Sequence, residues 1–222
     1  MPRTSPAADA ISDHGPYWGY EDLGAFLLGL AFLALGLRVL ARSHLLPRNQ
    51  LSHPSDGLQL AIVLLLIGTL YAILKLRYRR PVLAPLRWVR PATRHSLVSL
   101  ATGIVLALGV LLYQHLESRA AAFAPSFQLF VLSSGLAPIL EESLFRGCLF
   151  PLIAKTGGNA SAVVLTAGVF ALFHAPTDVA HWISFAATGV AYGWLRVVSG
   201  TTTAPALAHS AYNLILFSAA AF

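Results

Sequence analysis

Long apolar runs, separated by short polar or proline-bearing breaks, recur along the whole chain. They predict helices over about 22–41, 58–76, 96–115, 127–153, 159–175, 179–198 and 203–220. Each run is near the ~20 residues that a helix rising 1.5 Å per residue needs to cross the hydrocarbon of a bilayer. The expected fold is therefore all-α, a polytopic transmembrane helical bundle of about seven membrane helices. Residues 1–20 break the pattern with Pro2, Pro6, Asp9, Asp13, Gly15 and Pro16, and read as a short flexible tail. Glu21 and Asp22, rather than a basic stretch, precede the first apolar run, so no cleavable signal peptide is expected. Neither an internal repeat nor a separating linker is present, which leaves one transmembrane domain over 21–222.

Composition agrees with this reading. Of the 222 residues, 56% are hydrophobic and only 11% charged, where a soluble domain carries about 25%. The formal net charge of +6 raises the question of a nucleic-acid partner. The basic residues, however, gather in the breaks rather than in an aromatic-studded stripe, so none is expected. The densest group is Lys75, Arg77, Arg79, Arg80, Arg87, Arg90 and Arg94, in a segment with Pro81, Pro85, Pro91 and Trp88. This segment is expected to lie along the headgroups. With the N-terminus inside, inner loops hold ten basic residues and outer ones four, Arg146 excluded. The positive-inside rule then places the N-terminus in the cytoplasm and the C-terminus outside, in what is expected to be a bacterial inner membrane. The single cysteine, Cys148, excludes an internal disulfide.

The chemistry is concentrated where charge should be scarce. Glu141-Glu142-Ser143-Leu144-Phe145-Arg146 lies inside an apolar run, although one charge at bilayer depth costs roughly 3 kcal/mol. Glu142 and Arg146 are four apart and can pair on one helix face. Glu141 points about 100° away and lacks a local partner, as a general base in a dry site would. Phe170 and His174 share a face at the end of the fifth run, and His209 and Asn213 share one early in the seventh. Gly189 and Gly193, among alanines, suit close helix packing. Asp178, His181 and Trp182 read as an interfacial loop. His44, His53, His95 and His115 read as incidental.

Glu-Glu-x-x-x-Arg, Phe-x-x-x-His and His-x-x-x-Asn, in that order on successive apolar helices, resemble the CPBP (Abi) intramembrane proteases. That family includes the CAAX prenyl endopeptidases. The resemblance covers about 126–222, the last four helices, as the catalytic core. It implies that Glu141 and His174 activate the attacking water and that His209 and Asn213 hold the oxyanion. Glu142, Arg146 and Phe170 would support the site. The implied function is an endopeptidase acting on a membrane-associated peptide or lipidated protein, with CAAX-type and C-terminal sorting-segment processing both open.

The residues support such chemistry independently of the resemblance. Hydrolysis of a peptide needs a base for water, a donor set for the developing oxyanion and a proton for the leaving amine. No serine or cysteine stands in a recognisable nucleophile motif. No cofactor is favoured. If zinc were present, Glu141, His174 and His209 would be its ligands, although the helical His-Glu-x-x-His arrangement is absent. Two other classes stay open: a catalytically silent scaffold or immunity-type binding protein with this fold, and a small transporter, which would want an internal repeat. One difficulty is visible from the sequence, because simple counting places His174 nearer the outer surface than Glu141.

Overall fold

The computed structural model describes residues 16–42, 55–117 and 126–221, so most of the expected tail, along with His44 and His53, lies outside the described residues. All regular structure among them is helical. The elements are α1 (Tyr20–Arg42), α2 (Asp56–Tyr78), α3 (Thr93–Leu116), α4 (Phe127–Val131), α5 (Ala137–Glu142), α6 (Phe150–Phe173), α7 (Val179–Ser199) and α8 (Thr203–Ala221). Three helical stretches, Asp56–Tyr78, Thr93–Leu116 and Phe127–Phe173, are long and apolar enough by themselves to cross a bilayer. The count of about seven goes beyond that test. α7 is diluted by His181, Ser184, Thr188, Tyr192 and Arg196, the polar side chains that a helix lining a site must carry.

The surface is reversed relative to a soluble protein. Along α3, Ser99, Gly103 and Ala107 are buried, while Leu97, Leu108 and Leu112 are exposed. Between helices in lipid there is little hydrophobic drive, so small residues go inward to let backbones approach and large apolar ones face the acyl chains. Gly103 is where α3 meets α8: a Cβ there would lie 2.1 Å from the Ala208 carbonyl oxygen. Gly189 does the same between α7 and α6, where a Cβ would come within 2.8 Å of Ala167 Cα. The expected packing role of Gly189 is thus met.

The run Phe127–Phe173 departs from a regular helix in a way two prolines explain. π-helical turns occupy Leu132–Leu136 and Ser143–Leu149, just ahead of Pro138 and Pro151. A proline has no amide hydrogen and its ring collides with the carbonyl four residues back; widening the helix accommodates both. The expected break between the fourth and fifth runs is a reversal at Gly158, whose φ of 75° is left-handed territory open to glycine. Gly158 lies almost midway along the chain between Glu141 and His174, so two helical arms of nearly equal length bring both residues to one depth. That removes the difficulty left by counting from the membrane surface.

The basic segment after α2 is anchored rather than merely laid along the surface. Leu86 is fully buried, in contact range of Gly147, and Trp88 Nε1 donates to Ser143 Oγ at 3.0 Å. Thr202 closes the other side: its N–H donates to the Arg87 carbonyl and its hydroxyl to the Leu86 carbonyl. Leu83 and Val89 stay exposed, as a headgroup-level segment requires. Just ahead of α1, Trp18 is buried and donates to the Cys148 carbonyl, and Cys148 packs as a small core residue. Asp22 accepts from Tyr78 Oη at 2.5 Å and pairs with Arg77, joining α1 to α2.

Candidate active site

The second π-helical turn follows directly on the two glutamates. Such turns recur at functional sites because they redirect side chains without breaking a helix. Glu142 and Arg146 point into the protein and are fully buried. Arg146 Nη1 donates to Glu142 Oε1 at 3.1 Å, and Nη2 donates to the Gly189 carbonyl at 2.9 Å. The guanidinium lies over Phe170 at 4.8 Å and Tyr192 at 5.4 Å from their ring centroids. A cation with a carboxylate, a carbonyl and aromatic faces around it is compensated well enough to sit in a dry interior.

Glu142 Oε1 has a second donor, His209 Nδ1, at 3.0 Å. His209 is 4% exposed and stacks on Tyr192 at 5.0 Å between centroids. Because the acceptor is a carboxylate, Nδ1 carries the hydrogen, and the ring presents Nε2 toward Glu141. That Nε2 lies 4.0 Å from Glu141 Oε2.

His174 approaches from the opposite side. It caps α6, its Nδ1 donates to the Phe170 carbonyl at 2.8 Å, and its ring stacks on Phe185 at 4.3 Å. Its Nε2 lies 3.6 Å from Glu141 Oε2. That oxygen has no hydrogen-bond partner. Two imidazole Nε2 atoms and an unsatisfied carboxylate oxygen thus face one another at distances too long for direct hydrogen bonds and suited to a shared small molecule.

These groups open onto a cavity of about 730 Å³ whose lining includes Glu141, Phe170, His174, His209 and Asn213. On α3 the lining is apolar at Val105, Leu106 and Val110, with Tyr113 and Gln114 farther along. Asn213 Nδ2 donates one hydrogen to the Ser133 carbonyl at 2.7 Å, in the first π-helical turn. An amide nitrogen has a second hydrogen to offer.

The sequence-predicted residues divide into two groups. Glu141, His174, His209 and Asn213 reach the cavity; Glu142 and Arg146 stand behind them, and Phe170 touches both groups. Tyr192, Phe185 and the Ser133 carbonyl were not singled out by the sequence. Tyr192 was readable only as one more apolar helix position, and a backbone carbonyl leaves no trace in a sequence. His181 was assigned to an interfacial loop, yet it lies in the first turn of α7 and lines the cavity. Among the described residues, no three His, Cys, Asp or Glu side chains are disposed to hold a metal ion.

Residues 122–215 match the family described as Type II CAAX prenyl endopeptidase Rce1-like. No curated protein and no solved structure matches the chain.

Proposed function

We propose, from the match of residues 122–215 to the CAAX prenyl endopeptidase family model, that this chain is an intramembrane endopeptidase of that kind working through Glu141. The observation that carries the reading is the convergence of His174 Nε2 and His209 Nε2 on the unpartnered Glu141 Oε2 at 3.6 and 4.0 Å, on the wall of a cavity. With its Nδ1–H given to the Phe170 carbonyl, neutral His174 offers a lone pair at Nε2. A water between them donates one hydrogen to Glu141 and one to His174. Its oxygen lone pair is left to attack a carbonyl carbon. Glu141 takes that proton and returns it to the leaving amine.

His209 and the second amide hydrogen of Asn213 hold the oxyanion. For His209 to donate from Nε2 it carries both ring hydrogens, and Glu142, braced by Arg146, stabilises that imidazolium. No metal takes part in this scheme. The substrate is a peptide or lipidated protein in the bilayer, since apolar walls surround a polar floor. CAAX-type processing is the form the family name favours. We also place seven helices across a bacterial inner membrane, with the N-terminus in the cytoplasm.

Purified protein in detergent, given a farnesylated CAAX-type peptide, tests the scheme by mass spectrometry of the products. Glu141→Gln keeps the side-chain shape but cannot take a proton, so turnover falls by about a hundredfold to ten-thousandfold while thermal unfolding is unchanged. Turnover within tenfold of the parent protein rules out the base. Wild-type protein stripped with a strong chelator keeps its turnover; zinc-dependent loss and return would replace the metal-free scheme.

A further inference from the structure

Arg87 and Arg196 meet at the end of α7, remote from the cavity, and take no part in the scheme above. Arg87 Nε donates to the Gly200 carbonyl at 2.9 Å, and the Gly200 N–H closes α7 on the Arg196 carbonyl at 3.1 Å. Arg196 Nε donates to the Arg146 carbonyl at 3.2 Å, in the second π-helical turn. Its guanidinium lies 5.5 Å from the centroid of Phe150. Both arginines are half-buried, and their charges are close enough to repel. Among the described residues nothing accepts from the Nη groups of either, and no carboxylate pairs with them. Asp22 is held by Arg77, Glu142 by Arg146, and Asp178 by His181 at the opposite end of α7.

Stapling two segments together explains each Nε and nothing more. Arg87 also has a φ of 61°, left-handed backbone that glycine or asparagine would enter at less cost. Strained residues of this kind gather at ligand clamps. Two half-buried guanidiniums side by side call for an anion, and their forked N–H groups match the oxygens of a phosphate. The surroundings say what else that anion carries. Leu83 and Val89 near Arg87, and Trp194, Val197 and Val198 near Arg196, are exposed apolar side chains. In an integral membrane protein such side chains meet acyl chains and the interface above them. A phosphodiester without a headgroup cation leaves its whole charge to the arginines, whereas choline brings its own.

We propose that Arg87 and Arg196 together bind the phosphate of an anionic phospholipid whose acyl chains lie against the end of α7 beside Trp194. Because Arg196 also holds the Arg146 carbonyl, the bound lipid ties the membrane surface to the turn that follows the glutamate pair. Native mass spectrometry of the full chain tests this. The protein is released from neutral detergent containing equal amounts of phosphatidylglycerol and phosphatidylcholine with the same acyl chains. The parent protein should retain one phosphatidylglycerol with about a tenfold preference, as partly exposed charge-assisted hydrogen bonds support.

Arg87→Gln combined with Arg196→Gln should abolish that preference. Arg196→Lys keeps the charge but loses the fork, and should lower it to about threefold. Arg90→Gln, at an exposed basic position of the same segment, should leave it unchanged. Glycerol phosphate in large excess, which has the phosphate but no acyl chains, should not displace the lipid. Equal retention of the two lipids by the parent protein overturns the proposal. So does an equal loss in Arg90→Gln, the mark of diffuse attraction to a basic segment. Displacement by glycerol phosphate would make the ligand a soluble phosphate and overturn the lipid assignment. If the double glutamine variant does not fold, Arg196→Lys decides, and a preference equal to the parent's refutes the site. No arm requires turnover, so the outcome is separate from the peptidase reading.

Discussion

The cavity face of α5 presents Glu141, 14% exposed and accepting no hydrogen bond at Oε2, whereas the packed face carries Glu142, fully buried, with two donors on Oε1 and none on Oε2. The two side chains are chemically identical and adjacent in sequence. A helix turns about 100° per residue, and that rotation alone sends one into open space and the other against Arg146. Position relative to packing, not residue type, assigns the work. In the proposed scheme Glu141 is the residue left to exchange a proton, while Glu142 pairs with the guanidinium and holds His209.

The largest effect should come from the packed side. Arg146→Ala strands Glu142 as a buried charge and removes the cation from between Phe170 and Tyr192. Breaking a buried pair this way costs about 3–5 kcal/mol of stability. Yield and detergent unfolding temperature should fall together with activity, whereas Glu141→Gln should lose activity alone. Normal unfolding of the Arg146→Ala protein would erase the distinction between the two faces.

Asn213→Ala sharpens the cavity side of the comparison. Loss of one oxyanion donor costs about 3 kcal/mol, on the order of a hundredfold in rate. It should appear in kcat with little change in KM, because the contact forms in the transition state. The His209→Ala, Asn213→Ala double variant should lose less than the two single losses combined, since both donors serve one oxygen. Unimpaired turnover by Asn213→Leu would leave Asn213 only its anchoring bond to the Ser133 carbonyl.

Much of this site was legible beforehand, because charge in an apolar run is costly enough to be informative. Glu141, Glu142, Arg146, His174, His209 and Asn213 stood out for that reason, and helical spacing paired Glu142 with Arg146 correctly. What was not legible depends on tertiary contact. Tyr192 reads as an ordinary helix position until its ring is found between Arg146 and His209. The depth of His174 could be had only by measuring from the reversal at Gly158, not from the membrane surface. Pro138 and Pro151 did mark the π-helical turns, but a proline alone does not say whether a helix kinks, ends or widens. The headgroup segment was recognised by its arginines and prolines, and the burial of Leu86 within it was not. That burial depends on Gly147, far away in sequence.

The smallest effect tests whether packing without any charge can reach the cavity. Gly103 on α3 faces α8 so closely that a Cβ would lie 2.1 Å from the Ala208 carbonyl oxygen and 3.0 Å from Ala211 Cβ. The obstacle is backbone, which no side-chain rotation relieves, so Gly103→Ala must push the two helices apart. Overpacking of this kind costs about 1–3 kcal/mol, less than the loss of Arg146. Ala208 immediately precedes His209, so the displacement is felt at the ring that links Glu142 to the cavity. Its Nδ1 bond to Glu142, 3.0 Å long, has little slack. Gly103→Ala should therefore lower kcat by more than its modest fall in unfolding temperature implies. Gly68→Ala, on α2 and away from the cavity, at a position with nothing within 4 Å of its Cβ, should do neither. If the two variants behave alike, the fit between α3 and α8 does not position His209, and the packed face acts through Arg146 and Glu142 alone.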